Sequence, residues 1–152
     1  MRLFAPAVAF VDVETTGTRA SADRVTEVGV VRVDADPAGG DPRVTEWSSL
    51  VDPGVPIPPA IQTLTGISDA MVRGAPPFGA IAARIDELLA GSLFVAHSAR
   101  FDFGFLKHPP GNSFFKYSLA STIVSCSGDA PKNNRQAIAS AVMARVGCSP
   151  VR

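Results

Sequence analysis

The fold of this 152-residue chain is decided by residues 7–17, which read Ala-Val-Ala-Phe-Val-Asp-Val-Glu-Thr-Thr-Gly. The first part, Ala7–Val13, is short, apolar and rich in valine, which predicts a buried central strand. Residues two positions apart share a face of a strand, so Asp12 and Glu14 are predicted to point the same way. Thr15–Gly17 then predicts a sharp turn that offers N–H groups and hydroxyls to an anion.

Two acids on one face of a strand indicate a cation site. Carboxylates about 7 Å apart along a strand repel each other unless a cation lies between them. A hard divalent ion with oxygen ligands is the natural solution. The alternative is a solvated strand end with two surface acids, which is the usual meaning of an isolated Asp-x-Glu.

The rest of the chain predicts strands mixed with helices. The predicted strands are the hairpin Val25–Asp34 and Arg43–Val51, a buried strand Leu93–Ala96 and a weak edge strand Tyr117–Val124. The predicted helices are a short helix Ala60–Leu64, a helix with Pro76 and Pro77 in its first turn and Gly91 at its end, a helix Ala99–Lys107 capped by Ser98, and a last helix Gln136–Val146. This order indicates an α/β sheet with a hairpin at its edge.

A second polar segment follows the buried strand Leu93–Ala96. His97 ends that strand, and Asp102 lies in the first turns of the following helix. Asp102 is a third carboxylate that could complete a cation site with Asp12 and Glu14. Taken alone, however, an acid there usually complements the helix dipole, and a histidine there is usually a capping or core residue.

Composition excludes several classes of protein. The chain has 14 basic and 14 acidic residues, so a generic polyanion-coating protein is excluded and nucleic-acid contacts should be local. No apolar run reaches the roughly 18 residues that a membrane span needs. Met1–Phe10 is better explained as a first strand than as a signal peptide, because Pro6 interrupts it. Cys126 and Cys148 are far apart and predict neither a zinc site nor a disulfide framework, which favours a reducing, bacterial-type cytoplasm.

Three stretches in order resemble the DEDD superfamily of 3′–5′ exonucleases, and more narrowly the proofreading epsilon subunit of bacterial DNA polymerase III and its stand-alone relatives. They are VDVETTG from residue 11, IPPAIQTLTGISDAMVRGAPPF from residue 57 and LFVAHSARFD from residue 93. The likeness runs from about Phe10 to Lys107. It implies a ribonuclease H-like fold, with a mixed five-stranded sheet flanked by helices.

The resemblance also implies a reaction. The family removes nucleoside 5′-monophosphates from 3′ ends with two Mg²⁺ or Mn²⁺ ions held by four acids. Asp12 and Glu14 match its first motif and Asp102 its second, as catalytic and metal-binding residues. The residues that match its substrate-binding positions are Val13, Thr15, Thr16, Leu64, Thr65, His97 and Phe101. The implied partners are a single-stranded or mismatched DNA 3′ end and a DNA polymerase or other nuclease domain, with no membrane.

The third motif of the family is not found in this chain. That motif supplies a histidine as general base and an aspartate as fourth acid, but the only histidines here are His97 and His108. We therefore expect residues 1–107 to form the exonuclease-like core and residues 108–152 to be a divergent, truncated or degenerate remainder that is less well packed. Three functions stay open: an exonuclease with impaired activity, a non-catalytic relative that binds nucleic acid or a polymerase, and a truncated gene product.

Overall fold

A computed structural model describes residues 7–107 and 123–125 of the chain. Five strands form one mixed sheet in the order β3-β2-β1-β4-β5. The strands are β1 (Ala7–Thr15), β2 (Val25–Asp34), β3 (Arg43–Leu50), β4 (Leu93–Ala96) and β5 (Ile123–Ser125), and the helices are α1 (Pro59–Thr65), α2 (Asp69–Val72), α3 (Phe78–Leu89) and α4 (Ala99–Lys107). The hairpin strands pair antiparallel, whereas β4 is parallel to both β1 and β5. The predicted mixed five-stranded α/β sheet is confirmed.

Most element bounds agree with the sequence predictions, and the differences are local. The strand β1 continues two residues beyond Val13, so both acids of the first motif lie inside it. Helix α3 begins at Phe78, because Pro77 is extended at φ −66° and ψ 156° and lies outside the first turn. Helix α2 was not predicted. The predicted helix Gln136–Val146 and the first part of the strand predicted over 117–124 lie outside the described residues.

The core lies on one face of the sheet. Side chains of β1 alternate between buried odd positions and half-buried even positions. Val11 and Val13 pair with Val30 and Val28 of β2, and all four valines are buried. Residues of α3 and α4 complete this cluster; the most deeply buried of them are Ile85, Phe105 and Leu106. The even positions of β1, which include Asp12 and Glu14, therefore project from the other face.

Arg32 joins β2 to the end of α3. Its Nη1 atom donates hydrogen bonds of 2.8 Å to the carbonyl oxygens of both Leu88 and Ala90, and its Nε atom donates to Asp34 at 2.9 Å. The last carbonyls of a helix have no partners within the helix, so a cation at this end satisfies them and complements the helix dipole. Arg32 also lowers the pKa of the Asp34 carboxyl, chiefly through their hydrogen bond.

We expect Arg32→Gln to lower the free energy of unfolding by about 2 kcal/mol, because it leaves the carbonyls of α3 and the Asp34 carboxylate without their shared donor. Denaturant titration of the purified chain measures this change. Arg43→Gln is the matched control, since the Arg43 side chain is 80% exposed and bridges Asp34 only at 3.5 Å. Equal losses for both variants would show that the contacts to α3 contribute nothing.

A β-bulge interrupts β2 beside the first motif. Glu14 pairs with Glu27 and Thr15 with Val25, so Thr26 is the extra residue. Its side chain is 1% exposed, and its hydroxyl has no hydrogen-bond partner within the described part of the chain. A buried hydroxyl without a partner costs stability.

Thr26→Val keeps the shape of the side chain and removes that hydroxyl. We expect it to raise the free energy of unfolding by about 1 kcal/mol, measured by denaturant titration. Thr26→Ser keeps the hydroxyl, removes the methyl group and should be less stable than the parent chain. A Thr26→Val variant less stable than the parent would indicate that the hydroxyl is satisfied.

Candidate active site

The carboxyl end of β1 carries the two acids of the first motif on one face. Asp12 and Glu14 are both half-buried, in the strand's alternating pattern. The valines that flank them, Val11 and Val13, are buried in the core and fix the strand's orientation. The shared face predicted from the sequence is confirmed by this alternation.

Asp102 reaches the same end of β1 from helix α4. The parallel pairing of β1 with β4 ends at Phe10, so the N–H of Val13 lies beyond the last paired residue. One carboxylate oxygen of Asp102 accepts a hydrogen bond of 3.1 Å from this N–H group. The contact joins residues 89 positions apart and anchors the first turns of α4 to the strand.

The Asp102 carboxyl is buried in a negatively charged environment. Its residue is 4% exposed, and its pKa is raised to about 7, first by burial and second by the charge of Asp12, against the lowering effect of the Val13 N–H. The structure therefore brings Asp102 within electrostatic reach of Asp12. A nearby cation would reverse both effects, because it favours the ionised carboxylate.

The predicted cage of three acids is not assembled in the described ranges. Among residues 7–107 and 123–125, no group of three or more His, Cys, Asp or Glu has an arrangement that could hold a metal ion. Metal binding by Asp12, Glu14 and Asp102 stays a prediction.

Glu27 is an acid beside this site that the sequence analysis did not identify. It pairs directly with Glu14 across the hairpin, so the two residues share a face of the sheet. Like charges at opposed positions are unfavourable in a sheet, and the Thr26 bulge lies immediately next to this pair. The hairpin register, counted back from the loop at residues 36–42, is the signal that could have found it.

The turn after β1 uses its polar groups internally. The Thr15 hydroxyl donates to the Gly17 carbonyl, and the Thr16 N–H donates to the Arg24 carbonyl at 2.8 Å. The Thr16 hydroxyl also accepts from the Arg24 N–H at 3.0 Å. The expectation that these groups are available to an anion is wrong for these two donors, because the Thr15 hydroxyl is bonded within the turn and the Thr16 N–H closes the loop to β2. Whether Val13, Thr15 and Thr16 touch a substrate stays a prediction.

Leu64 and Thr65 lie at the end of α1 with different environments. The Leu64 side chain is 63% exposed, so it is accessible to a ligand. Thr65 donates to the Ile61 carbonyl and accepts from the Ile67 N–H, so it shapes the turn. Gly66 ends the helix at φ 77°, a conformation that favours glycine.

His97 and Phe101 lie on either side of the start of α4. His97 is exposed between β4 and the helix, where a ligand at the carboxyl end of the sheet is accessible to it. Phe101 is half-buried, and its ring centroid lies 4.9 Å from that of Phe105 in the core. The Ser98 carbonyl accepts hydrogen bonds from the N–H groups of Phe101 and Asp102. The predicted start of α4 is confirmed, and the substrate contacts of both side chains stay predictions.

The chain is similar in sequence to known exonucleases. The sequence profile of the exonuclease (RNase T) family matches residues 9–117. The chain is 38% identical over 100 residues to the 3′-5′ exonuclease DinG of Bacillus subtilis, a match that covers 64% of this chain and 10% of that protein. It is 38% identical over 96 residues to the PolC-type DNA polymerase III of Clostridium perfringens, covering 63% of this chain and 6% of that protein. It therefore spans a small part of the length of these relatives.

Solved structures show the same fold. Exonuclease I of E. coli in complex with a dT13 oligonucleotide has a TM-score of 0.56 and 23% identity, covering 66% of this chain and 22% of that chain. The apo form of exonuclease I gives a TM-score of 0.58. These likenesses confirm the ribonuclease H-like arrangement predicted from the sequence. No helix in the described residues is long and apolar enough to cross a membrane.

Proposed function

The chain belongs to the exonuclease family of the DEDD superfamily, and from this premise we propose that it removes nucleoside 5′-monophosphates from the 3′ end of a DNA strand by metal-assisted hydrolysis. The observation that carries the proposal is the buried carboxyl of Asp102 beside Asp12, at the end of the strand that also carries Glu14. This arrangement is electrostatically unfavourable on its own and favourable around a cation.

The donor set fits a hard divalent cation. Asp12, Glu14 and Asp102 supply only carboxylate oxygens, which Mg²⁺ and Mn²⁺ prefer. The chemistry that such an ion supplies when bound is activation of a water molecule and neutralisation of charge at the phosphodiester. The N–H of Val13 holds the Asp102 carboxylate in place for this role.

The substrate-binding residues are assigned as part of the same proposal. The exposed Leu64 contacts the terminal base, and Thr65 shapes the turn that presents it. His97 and Phe101 flank the terminal nucleotide from the start of α4, and Val13, Thr15 and Thr16 line it from the end of β1. The likeness to a PolC-type DNA polymerase III supports a polymerase or another nuclease domain as the proposed partner. The proposed compartment is the cytoplasm, where bacterial DNA lies.

We expect hydrolysis by this chain to be slow. Beyond His97 the sequence has only His108, and neither matches the third motif of the family. Loss of a general base costs about 10²- to 10⁴-fold in rate. The missing fourth acid also predicts one weakly bound cation rather than two. A non-catalytic role in binding a 3′ end is therefore the second candidate function.

Digestion of a labelled single strand separates the two functions. With Mn²⁺, the purified chain should release labelled mononucleotide from a 3′-labelled oligothymidylate and progressively shorten the same strand labelled at its 5′ end. EDTA should stop both reactions. Binding without any release of mononucleotide would favour the non-catalytic function, and release from the 5′ end would overturn the proposed polarity.

A further inference from the structure

The Asp69 carboxylate joins helix α2 both to α1 and to the segment that precedes α1. One of its oxygens accepts a hydrogen bond of 2.8 Å from the Ile57 N–H, and the other accepts one of 3.1 Å from the side-chain amide of Gln62. The same amide donates to the Ile57 carbonyl at 2.9 Å, so both of its N–H groups are used. We call Ile57, Gln62 and Asp69 the Asp69 clamp.

Helix α1 depends on tertiary contacts for its position. It has only seven residues, none of them buried, and its first turn has no side-chain cap. Helices this short are not stable alone in water. Its Ile61 side chain packs against a small buried cluster formed by Ile57, Ile67 and Val72. The orientation of α1 is therefore set by this apolar contact together with the Asp69 clamp.

Asp69 is not the residue that caps its own helix. Ser68 is the N-cap of α2, and its hydroxyl accepts a hydrogen bond of 3.3 Å from the Met71 N–H. An acid in the first turn usually complements the helix dipole, but α2 has only four residues. Both carboxylate oxygens of Asp69 instead accept hydrogen bonds from outside α2. The Asp69 clamp therefore serves tertiary structure rather than the start of α2.

The Asp69 clamp lies at the same end of the sheet as the proposed active site. Leu50, the last residue of β3, packs against the same buried cluster as Ile61. Leu50 pairs with Glu27 of β2, and Glu27 pairs with Glu14 of β1. Since neighbouring strands lie about 4.8 Å apart, this row of three residues places Leu50 about 10 Å across the sheet from the first motif.

We propose that Asp69 and Gln62 are positioning residues, which hold α1 so that Leu64 meets the terminal base of a strand whose 3′ end lies in the proposed active site. The inference rests on the proposed function, which assigns Leu64 to that base. Leu64 lies two residues after Gln62 and is 63% exposed, so its own packing does not fix it. A contact that is held in place before binding loses less freedom on binding, which raises affinity.

Binding of two different 3′ ends tests this inference without requiring hydrolysis. Anisotropy of a 5′-fluorescein oligothymidylate is measured with the full chain in EDTA, with one strand that ends in thymidine and one that ends in an abasic nucleotide. Asp69→Ala and Gln62→Ala should each weaken binding of the first strand about three- to tenfold, a part of what one base contact contributes. Binding of the abasic strand should not change. Ser68→Ala is the matched control, because it removes the cap of α2 and leaves the Asp69 clamp intact; it should bind both strands like the parent.

A double-mutant cycle determines whether the Asp69 clamp acts through Leu64. In a Leu64→Ala background, Asp69→Ala and Gln62→Ala should have no further effect on affinity, because the side chain that they position is gone. A loss that persists in this background would overturn the inference, as would equal losses on the two strands. Gln62→Ala keeps the hydrogen bond between Asp69 and Ile57, so it decides the question even where Asp69→Ala fails to fold.

Digestion with Mn²⁺ separates this inference from the proposed function. Asp69→Ala and Gln62→Ala should raise KM more than they lower kcat, because neither residue is among the proposed metal ligands. Base-dependent losses of binding without any hydrolysis would support the Asp69 clamp and remove the catalytic function. Hydrolysis with parent-like KM and affinity in both variants would leave the function standing and overturn the inference. A parent chain that binds neither strand, or binds both equally, would also overturn it.

Discussion

Asp102→Asn is expected to raise the free energy of unfolding of this chain at pH 8. The carboxyl of Asp102 is 4% exposed, and burial together with the charge of Asp12 raises its pKa from 3.8 to about 7. Above pH 7 the parent chain must therefore hold a buried negative charge beside a second one. Asparagine has no charge, and its carbonyl oxygen can still accept the hydrogen bond from the Val13 N–H.

The sign of the pH dependence follows from proton binding. Between pH 4 and 7 the folded chain holds a proton on Asp102 that the unfolded chain has lost, so the contribution of this group to stability falls as pH rises through this window. A pKa raised by roughly three units corresponds to about 4 kcal/mol at most. This contribution is fully present below pH 4 and fully lost above pH 7. In the asparagine variant it is absent at every pH.

Urea titration at pH 5 and pH 8 measures this difference. From pH 5 to pH 8, the free energy of unfolding of the parent should fall relative to that of Asp102→Asn. At pH 8, Mn²⁺ should restore the lost stability in the parent but not in the variant. Asp41→Asn is the control, because Asp41 is an exposed acid in the loop between β2 and β3. An asparagine variant that is no more stable than the parent at pH 8 would show that Asp102 is ionised there at little cost.

Local patterns predicted the strands Val25–Asp34 and Leu93–Ala96 and the shared face of Asp12 and Glu14 correctly for a simple reason. Val25–Asp34 and Leu93–Ala96 have the predicted bounds, because each is a β-branched or apolar run between turn residues. The shared face of Asp12 and Glu14 follows from the period of a strand alone. Information of this kind is contained in neighbouring residues and needs no tertiary contacts.

The features that sequence analysis missed depend on distant contacts. Helix α2 has only four residues, and its Asp69 carboxylate accepts hydrogen bonds from the Ile57 N–H and the Gln62 side chain. Thr16 closes its loop by bonding to Arg24, which is eight positions away, so its own neighbours do not reveal this role. Glu27 lies opposite Glu14, and this placement can be predicted only when the hairpin register and the bulge at Thr26 are known. The hydrogen bond from Val13 to Asp102 needs the parallel pairing of β1 and β4 to end early.

Asp12→Asn should have the largest effect on activity. Asp12 belongs to the proposed metal site, and its charge is one of the causes that raise the pKa of Asp102. Loss of a metal-binding carboxylate should reduce hydrolysis at least about a hundredfold, since even groups that only support metal ligands contribute 10- to 100-fold. Single-turnover digestion of a 3′-mismatched primer with Mn²⁺ measures this loss, with Asp41→Asn as the control that keeps the parent rate.

The same substitution has a second effect that does not depend on catalysis. Removing the charge of Asp12 should bring the pKa of Asp102 closer to its ordinary value, so the loss of stability between pH 5 and pH 8 should become smaller than in the parent. Parent-like digestion by Asp12→Asn would remove Asp12 from the proposed mechanism. An unchanged pH dependence of stability would instead show that the two carboxyls do not interact, even if the activity is lost. The two measurements together therefore distinguish a residue that binds metal from one that only sets the protonation of its neighbour.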